Sequence, residues 1–177
     1  RAQRGLFICS LIRDRRSYDV INLPYLHLAL TMQEEPRKPV WPTDVAIGAF
    51  FEEYAQRTHA LLVNSYMNGG GSVADFETWH RGLISDSEYD PDFVVPVLDR
   101  SDRVIAFVQC WNSAFIKDLV VDPDRRREGI GEALLLHVLG LFFHRGQHKV
   151  SLKVEPNNPS GAERLYRRIG FDDVLSA

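Results

Sequence analysis

The feature that most constrains this chain is the run Leu119-Val120-Val121-Asp122-Pro123-Asp124-Arg125-Arg126-Arg127-Glu128-Gly129-Ile130-Gly131-Glu132-Ala133-Leu134-Leu135. A β-rich apolar segment passes through a charged turn and two glycines into an apolar helix. A strand delivered to a helix start in this way builds an anion site, because the first N–H groups of a helix lack internal partners and the helix dipole is positive there. The main chain of Arg126, Arg127, Glu128, Gly129, Ile130, Gly131 and Glu132 can therefore hold a diphosphate. Gly129 and Gly131 allow close approach, and a bulky side chain at Gly131 would stand where the phosphate must sit. Arg126 or Arg127 can add a charge-assisted hydrogen bond. Two familiar phosphate motifs do not fit. A dinucleotide fingerprint needs a third Gly or Ala where Leu134 stands, and a P-loop needs Gly-Lys-Ser/Thr, which does not occur in the chain.

The segments around this run read as a mixed α/β domain. Residues 93–98, 104–111 and 115–121 are β-rich runs separated by Asp99-Arg100-Ser101-Asp102 and by Asn112-Ser113, so three strands are expected to pair antiparallel in sequence order. A helix over 129–145 closed by Gly146, a strand over 149–154 and a helix over 160–169 closed by Gly170 follow. Upstream, a short strand over 45–47 leads into a helix over 50–66 that Gly69, Gly70 and Gly71 stop. Ser72 is placed to cap a second helix, with Asp75 three residues on and Phe76, Trp79 and Leu83 as its apolar stripe. Residues 26–32 read as a strand followed by a polar, proline-marked connection.

Composition narrows the function classes. With 177 residues, 45% hydrophobic and 25% charged, the chain matches one globular domain and not a disordered protein. Its net charge of −3 gives no long-range pull on a phosphate backbone, so nucleic acid is not an expected partner. Cys9 and Cys110 stand far apart without a Cys/His cluster, which points away from disulfides and zinc and toward a reducing compartment. The longest apolar run, near Ala133 to Phe143, is too short to span a bilayer, and no signal-like segment opens the chain. The expected location is cytoplasmic, with no membrane partner.

A second motif lies downstream: Asn158, then Ala162-x-x-Leu165-Tyr166, then Gly170-Phe171. Together with Arg126-x-x-Gly129-x-Gly131, in this order and with a helix and a strand between, it resembles the acyl-CoA signatures of the GNAT superfamily of N-acetyltransferases. The resemblance covers about 45–171. Asn158 stands one residue further from Tyr166 than is usual there, and Gly161 can absorb the extra residue. The resemblance implies a GNAT fold, a central mixed, mostly antiparallel sheet flanked by helices, and acetyl-CoA as co-substrate without a metal. It also implies that the central strand splays from the next parallel strand and that the pantetheine arm lies between them, bonded to the backbone of Leu119, Val120 and Val121. A backbone N–H there would polarise the thioester carbonyl.

Amine attack on a thioester expels a thiolate, and a phenol, protonated at neutral pH, can return a proton to it. Tyr166 is the expected acid. The amine must lose a proton, and Asp118 is the nearest carboxylate in sequence to the reaction centre, although a water-mediated route leaves no trace in the sequence. The acidic helical region, with Glu52, Glu77 and Glu88 among its residues, would suit a cationic acceptor, but charge on helices is usually solvation. The acceptor is read as a primary amine of a small molecule or peptide. The alternative is a non-catalytic acyl-CoA-binding regulatory module.

The domain reading is an N-terminal extension over 1–42, with its strand and linker, followed by an acetyltransferase domain over 43–177. Family members finish with more strand than this chain has after Phe171, so the strand over 26–32 is expected to cover that sheet edge. The segment over 16–42 also resembles the linker between the halves of tandem GNAT proteins such as the mycothiol synthases. Pairing with a second copy in a homodimer stays open.

Overall fold

A computed structural model describes residues 25–48, 52–67, 72–156 and 160–174. Seven strands, β1 (Leu26–Thr31), β2 (Val45–Ile47), β3 (Val94–Asp99), β4 (Val104–Trp111), β5 (Phe115–Val121), β6 (Lys149–Val154) and β7 (Asp172–Asp173), form one sheet in the order β2-β3-β4-β5-β6-β1-β7. Every pairing is antiparallel except β5 with β6, which is parallel. The helices are α1 (Glu52–Met67), α2 (Phe76–Ile84), α3 (Ile130–His144) and α4 (Ala162–Ile169).

Two apolar layers sandwich the sheet. On one face α3 buries Ile130, Leu134, Leu135, Val138, Leu139 and Phe142 against Ile105, Val108 and Ile116, with Phe142 stacked on Phe93 at 4.2 Å between centroids. On the other, Ala55, Leu61 and Leu62 of α1 and Trp79 and Leu83 of α2 pack on Val94, Val104 and Phe107. Coverage on both sides explains why β4 is buried from Val104 to Cys110 and, apart from Gln109, is apolar instead of alternating. α4 is the opposite case: only Tyr166 is buried, and its outer face carries charge. Among the described residues no helix is long and apolar enough to cross a membrane.

The expected strands appear with small changes in their ends. The strand over 26–32 does more than cover an edge. β1 pairs with β6 over six residues, from Leu26↔Val154 to Thr31↔Lys149, and carries β7 on its other side. Its Leu28 is fully buried. The following linker runs along α3, tied by Glu35 to His144, by an edge contact of Trp41 with His137, by Arg37 to Glu132 and by Asp44 to Arg125. One local expectation fails. Asp75, not Ser72, caps α2, its carboxylate accepting from the Thr78 amide at 3.0 Å and the Thr78 hydroxyl at 2.9 Å, because the helix begins at Phe76.

Candidate active site

The site begins with an irregularity in β5. Against β4, Asp118 pairs with Gln109 but Ile116 pairs with Cys110, so Lys117 is an extra residue, a β-bulge. In a regular strand Ile116 and Asp118 would share a face. The bulge separates them: Ile116, Leu119 and Val121 pack toward α3, whereas Asp118 meets Tyr66 of α1 and Val120 packs with the α1–α2 layer. It thereby delivers two charged residues to the α1–α2 side of an otherwise apolar strand.

The neighbouring strand then departs. β5 and β6 pair only at Phe115↔Ser151 and Ile116↔Leu152, steadied by the Ser151 amide donating to the Ala114 carbonyl at 3.0 Å. Beyond Ile116, β5 stays paired with β4 as far as Val121, while Lys153 and Val154 of β6 pair with β1. A gap therefore opens through the sheet, with one edge at Leu119, Val120 and Val121.

The start of α3 stands at the wide end of that gap. The first intrahelical bond runs from the Ala133 amide to the Gly129 carbonyl at 2.9 Å, so the amides of Ile130, Gly131 and Glu132 precede any internal partner. Gly129 caps the helix at φ 84°, a left-handed conformation that glycine adopts without penalty. A Cβ at Gly131 would lie 3.4 Å from Val121 Cγ2 and 3.7 Å from Leu165 Cδ2, ordinary contact distances that the fold accommodates. Of the arginines, Arg125 is bound by Asp44 at 2.7 Å and Glu128 at 2.8 Å, Arg126 donates through Nε to the Val121 carbonyl at 3.2 Å, and Arg127 is exposed. Arg126 thus braces the end of β5 from the turn. Glu132 is gripped by Arg37 and Arg168; burial works against its charged form, but the two guanidinium groups prevail and hold its carboxyl below the usual range. Asn158 lies outside the described residues.

Tyr166 projects from α4 into the core beside Phe171, ring centroids 5.8 Å apart. Burial, then the nearby Asp118 and Cys110, push its phenol far above its ordinary value, so it stays protonated across the neutral range. Burial and Asp118 likewise push the Cys110 thiol up, which leaves it inert. Asp118 is 5% exposed, accepts from the Tyr66 hydroxyl through Oδ1 and from Lys117 Nζ through Oδ2 at 2.8 Å. The Lys117 ammonium also stands over the Trp111 ring at 5.9 Å. These residues floor a small pocket walled by Leu62, Tyr66, Val73 and Trp79. Trp79 lines this pocket, whereas Trp111 packs against the α1–α2 layer; Lys117 was not legible in the sequence, because nothing in an alternating strand marks where a bulge falls. Among the described residues no group of three or more His, Cys, Asp or Glu side chains is placed to hold a metal ion.

The profile of the Acetyltransferase (GNAT) family matches residues 53–171. The chain belongs to the GNAT acetyltransferase family. Within it, mycothiol acetyltransferase from Clavibacter sepedonicus is 36% identical over 142 residues, covering 75% of this chain and 44% of the relative. This GNAT chain spans under half the length of the curated mycothiol acetyltransferases it matches. A GCN5-related N-acetyltransferase from Sphaerobacter thermophilus has the same fold at a TM-score of 0.73 and 25% identity, over 85% of this chain and 48% of that one. The spermidine N-acetyltransferase of Vibrio cholerae, solved with CoA and spermine, shares the fold at a TM-score of 0.60 and 20% identity, over 76% of this chain and 84% of its own. The GNAT family uses acetyl-CoA, and the residues around the β5–β6 gap fit that donor: unpaired helix-start amides for the diphosphate and a strand edge for the amides of its arm.

Proposed function

We propose that this chain is an acyl-CoA-dependent N-acetyltransferase that moves an acetyl group from acetyl-CoA to a primary amine of a small molecule or peptide. The parting of β5 from β6 beyond Ile116, beside the start of α3, carries this reading. The helix-start amides from Ile130 to Glu132 hold the diphosphate, and the backbone of Leu119, Val120 and Val121 holds the arm. Acetyl-CoA supplies an activated acyl carbon and a thiolate leaving group. A backbone N–H of β5 at the thioester stabilises the charge that develops on its oxygen during attack.

Tyr166 returns the proton to the leaving sulfur. Its buried, fully protonated phenol suits that role. Asp118 stands at the acceptor's end of the gap. The amine nitrogen becomes strongly acidic once it has attacked, so a carboxylate whose oxygens already accept two bonds suffices to receive its proton. The buried, protonated Tyr166 phenol near Asp118 favours an enzyme over a non-catalytic acyl-CoA-binding module, since binding the donor alone requires neither a proton donor nor a carboxylate there. We read the domain as beginning near residue 43, with the preceding strand and linker strapped onto its sheet and α3, and the location as cytoplasmic. A thiol-release assay with acetyl-CoA across a panel of primary amines tests the reading. Donor binding without turnover on any amine would support the binding module instead.

A further inference from the structure

Asp118 is held from two sides by groups of different stiffness. The bulge turns it and Lys117 toward the α1–α2 layer, so the Lys117 ammonium reaches Asp118 Oδ2 at 2.8 Å from within β5 itself. A lysine is a point charge on a flexible four-carbon stem; it counters the carboxylate's charge without fixing the plane of its oxygens. The other oxygen, Oδ1, accepts from the Tyr66 hydroxyl, which comes from the last turn of α1 on a rigid ring. Leu62, one turn earlier, is buried in the same layer as Val94 and Phe107, so the helix that carries Tyr66 is anchored on the sheet. The other titratable groups near Asp118 are Cys110 of β4 and Tyr166 of α4. Burial first and Asp118 second push both of them up, so they stay neutral at pH 7 and add no charge.

We propose that Tyr66 is a positioning residue: its hydroxyl, carried by α1, sets the orientation of the Asp118 carboxylate and keeps it ionised, so that an amine in the pocket meets a proton acceptor already aimed at it. This rests on the N-acetyltransferase reading, with Asp118 receiving the amine's proton, and adds the residue that readies Asp118. A carboxylate has about four lone-pair sites, of which Tyr66 and Lys117 engage two, so a proton can arrive while both bonds persist. On attack the N–H bond breaks, its proton passes to an Asp118 oxygen and its electron pair stays on nitrogen; Tyr66 remains neutral throughout. A hydrogen bond donated to a carboxylate favours the charged form, so losing the Tyr66 hydroxyl makes Asp118 easier to protonate. Tyr66 also walls the pocket with Leu62, Val73 and Trp79. One side chain thereby ties the acceptor's wall to the proton acceptor.

The experiment is a double-mutant cycle of Tyr66→Phe and Asp118→Asn. Thiol release at saturating acetyl-CoA is measured with alaninamide, glucosamine, Nα-acetyl-lysinamide and putrescine, and the cycle is run on whichever turns over fastest. Tyr66→Phe alone should lower kcat by about 10- to 100-fold. It should leave KM for acetyl-CoA unchanged and move the acidic limb of kcat up by about one pH unit. Asp118→Asn alone should lower kcat by about 100-fold or more. In the Asp118→Asn background, Tyr66→Phe should cost less than about 2-fold, because no carboxylate remains to be positioned. Losses that multiply independently, or a fall in kcat with the acidic limb in place, overturn the proposal while the acetyltransferase reading stands. Full activity of Asp118→Asn removes the proposal together with the role of Asp118. Binding of acetyl-CoA without turnover of any of the four amines removes the acetyltransferase reading as well. Thermal melts of each variant show that it is folded, and Tyr66→Met serves as a second variant without the hydroxyl should phenylalanine fail that check.

Discussion

Replacing Tyr166 by Phe removes one oxygen from the centre of the site and little else. The ring keeps its packing beside Phe171 within the core layer under α3. Loss of a buried hydroxyl changes stability by about 1 kcal/mol, which for a domain of this size is a shift in Tm of roughly 2–4 °C. Loss of a general acid lowers kcat by about 10²–10⁴-fold, or about 3–5 kcal/mol in the barrier. The two expectations differ enough to separate chemistry from packing. Initial rates of thiol release at saturating acetyl-CoA should fall by that factor, while calorimetric affinity for CoA and Tm stay near those of the native chain. Because burial and then Asp118 and Cys110 raise the phenol's pKa, the acid form persists, and native turnover should show no alkaline decline from this group up to about pH 10. Unchanged turnover with unchanged donor affinity refutes the acid role, and a large loss of Tm with proportionate loss of activity assigns Tyr166 to the core alone.

Gly129→Ala should cost about 1–2 kcal/mol from its left-handed backbone alone, since a Cβ there meets nothing within 4 Å, and chemical denaturation measures it. Gly131→Ala should be nearly neutral in the same assay, its Cβ reaching ordinary contact with Val121, so any loss of CoA affinity in that variant reports on the ligand and not on the fold. Leu28→Ala in β1 should destabilise by about 2–5 kcal/mol, as expected of a core leucine within the sheet and not of a loosely attached extension. His137 is held below its ordinary pKa by burial, and His27 by burial and then by Lys153 and Lys149, so the folded state resists protonating them. Their contribution to stability is therefore complete above the unfolded value near 6.5 and is lost as pH falls through the folded values. His137→Phe should flatten the fall of Tm below pH 6.5.

Much of this architecture was legible residue by residue. The runs over 104–111, 115–121 and 149–154 are bounded by turn formers at both ends, and Gly129, Gly146 and Gly170 mark helix termini through backbone preferences that need no neighbours. Tyr166 was singled out because Ala162-x-x-Leu165-Tyr166 followed by Gly170-Phe171 resembles a signature of the family, and the start of α3 because glycines follow a strand and a charged turn. The α2 cap was misplaced by three residues, from Ser72 to Asp75, since both residues are good caps and only the packing of Trp79 and Leu83 selects the helix start.

What the amino-acid sequence determined by itself is local: which segments are strands or helices, and where glycines and charged turns end them. What only the tertiary structure decided is relational. It placed β1 between β6 and β7, laid the linker along α3, set the bulge at Lys117 and turned Asp118 toward Tyr66. The reason is the two-residue period of a strand. A single inserted residue reverses which face every later side chain presents, and its position is settled by how β5 packs against β4 and two helical layers at once, which no stretch of the chain encodes alone.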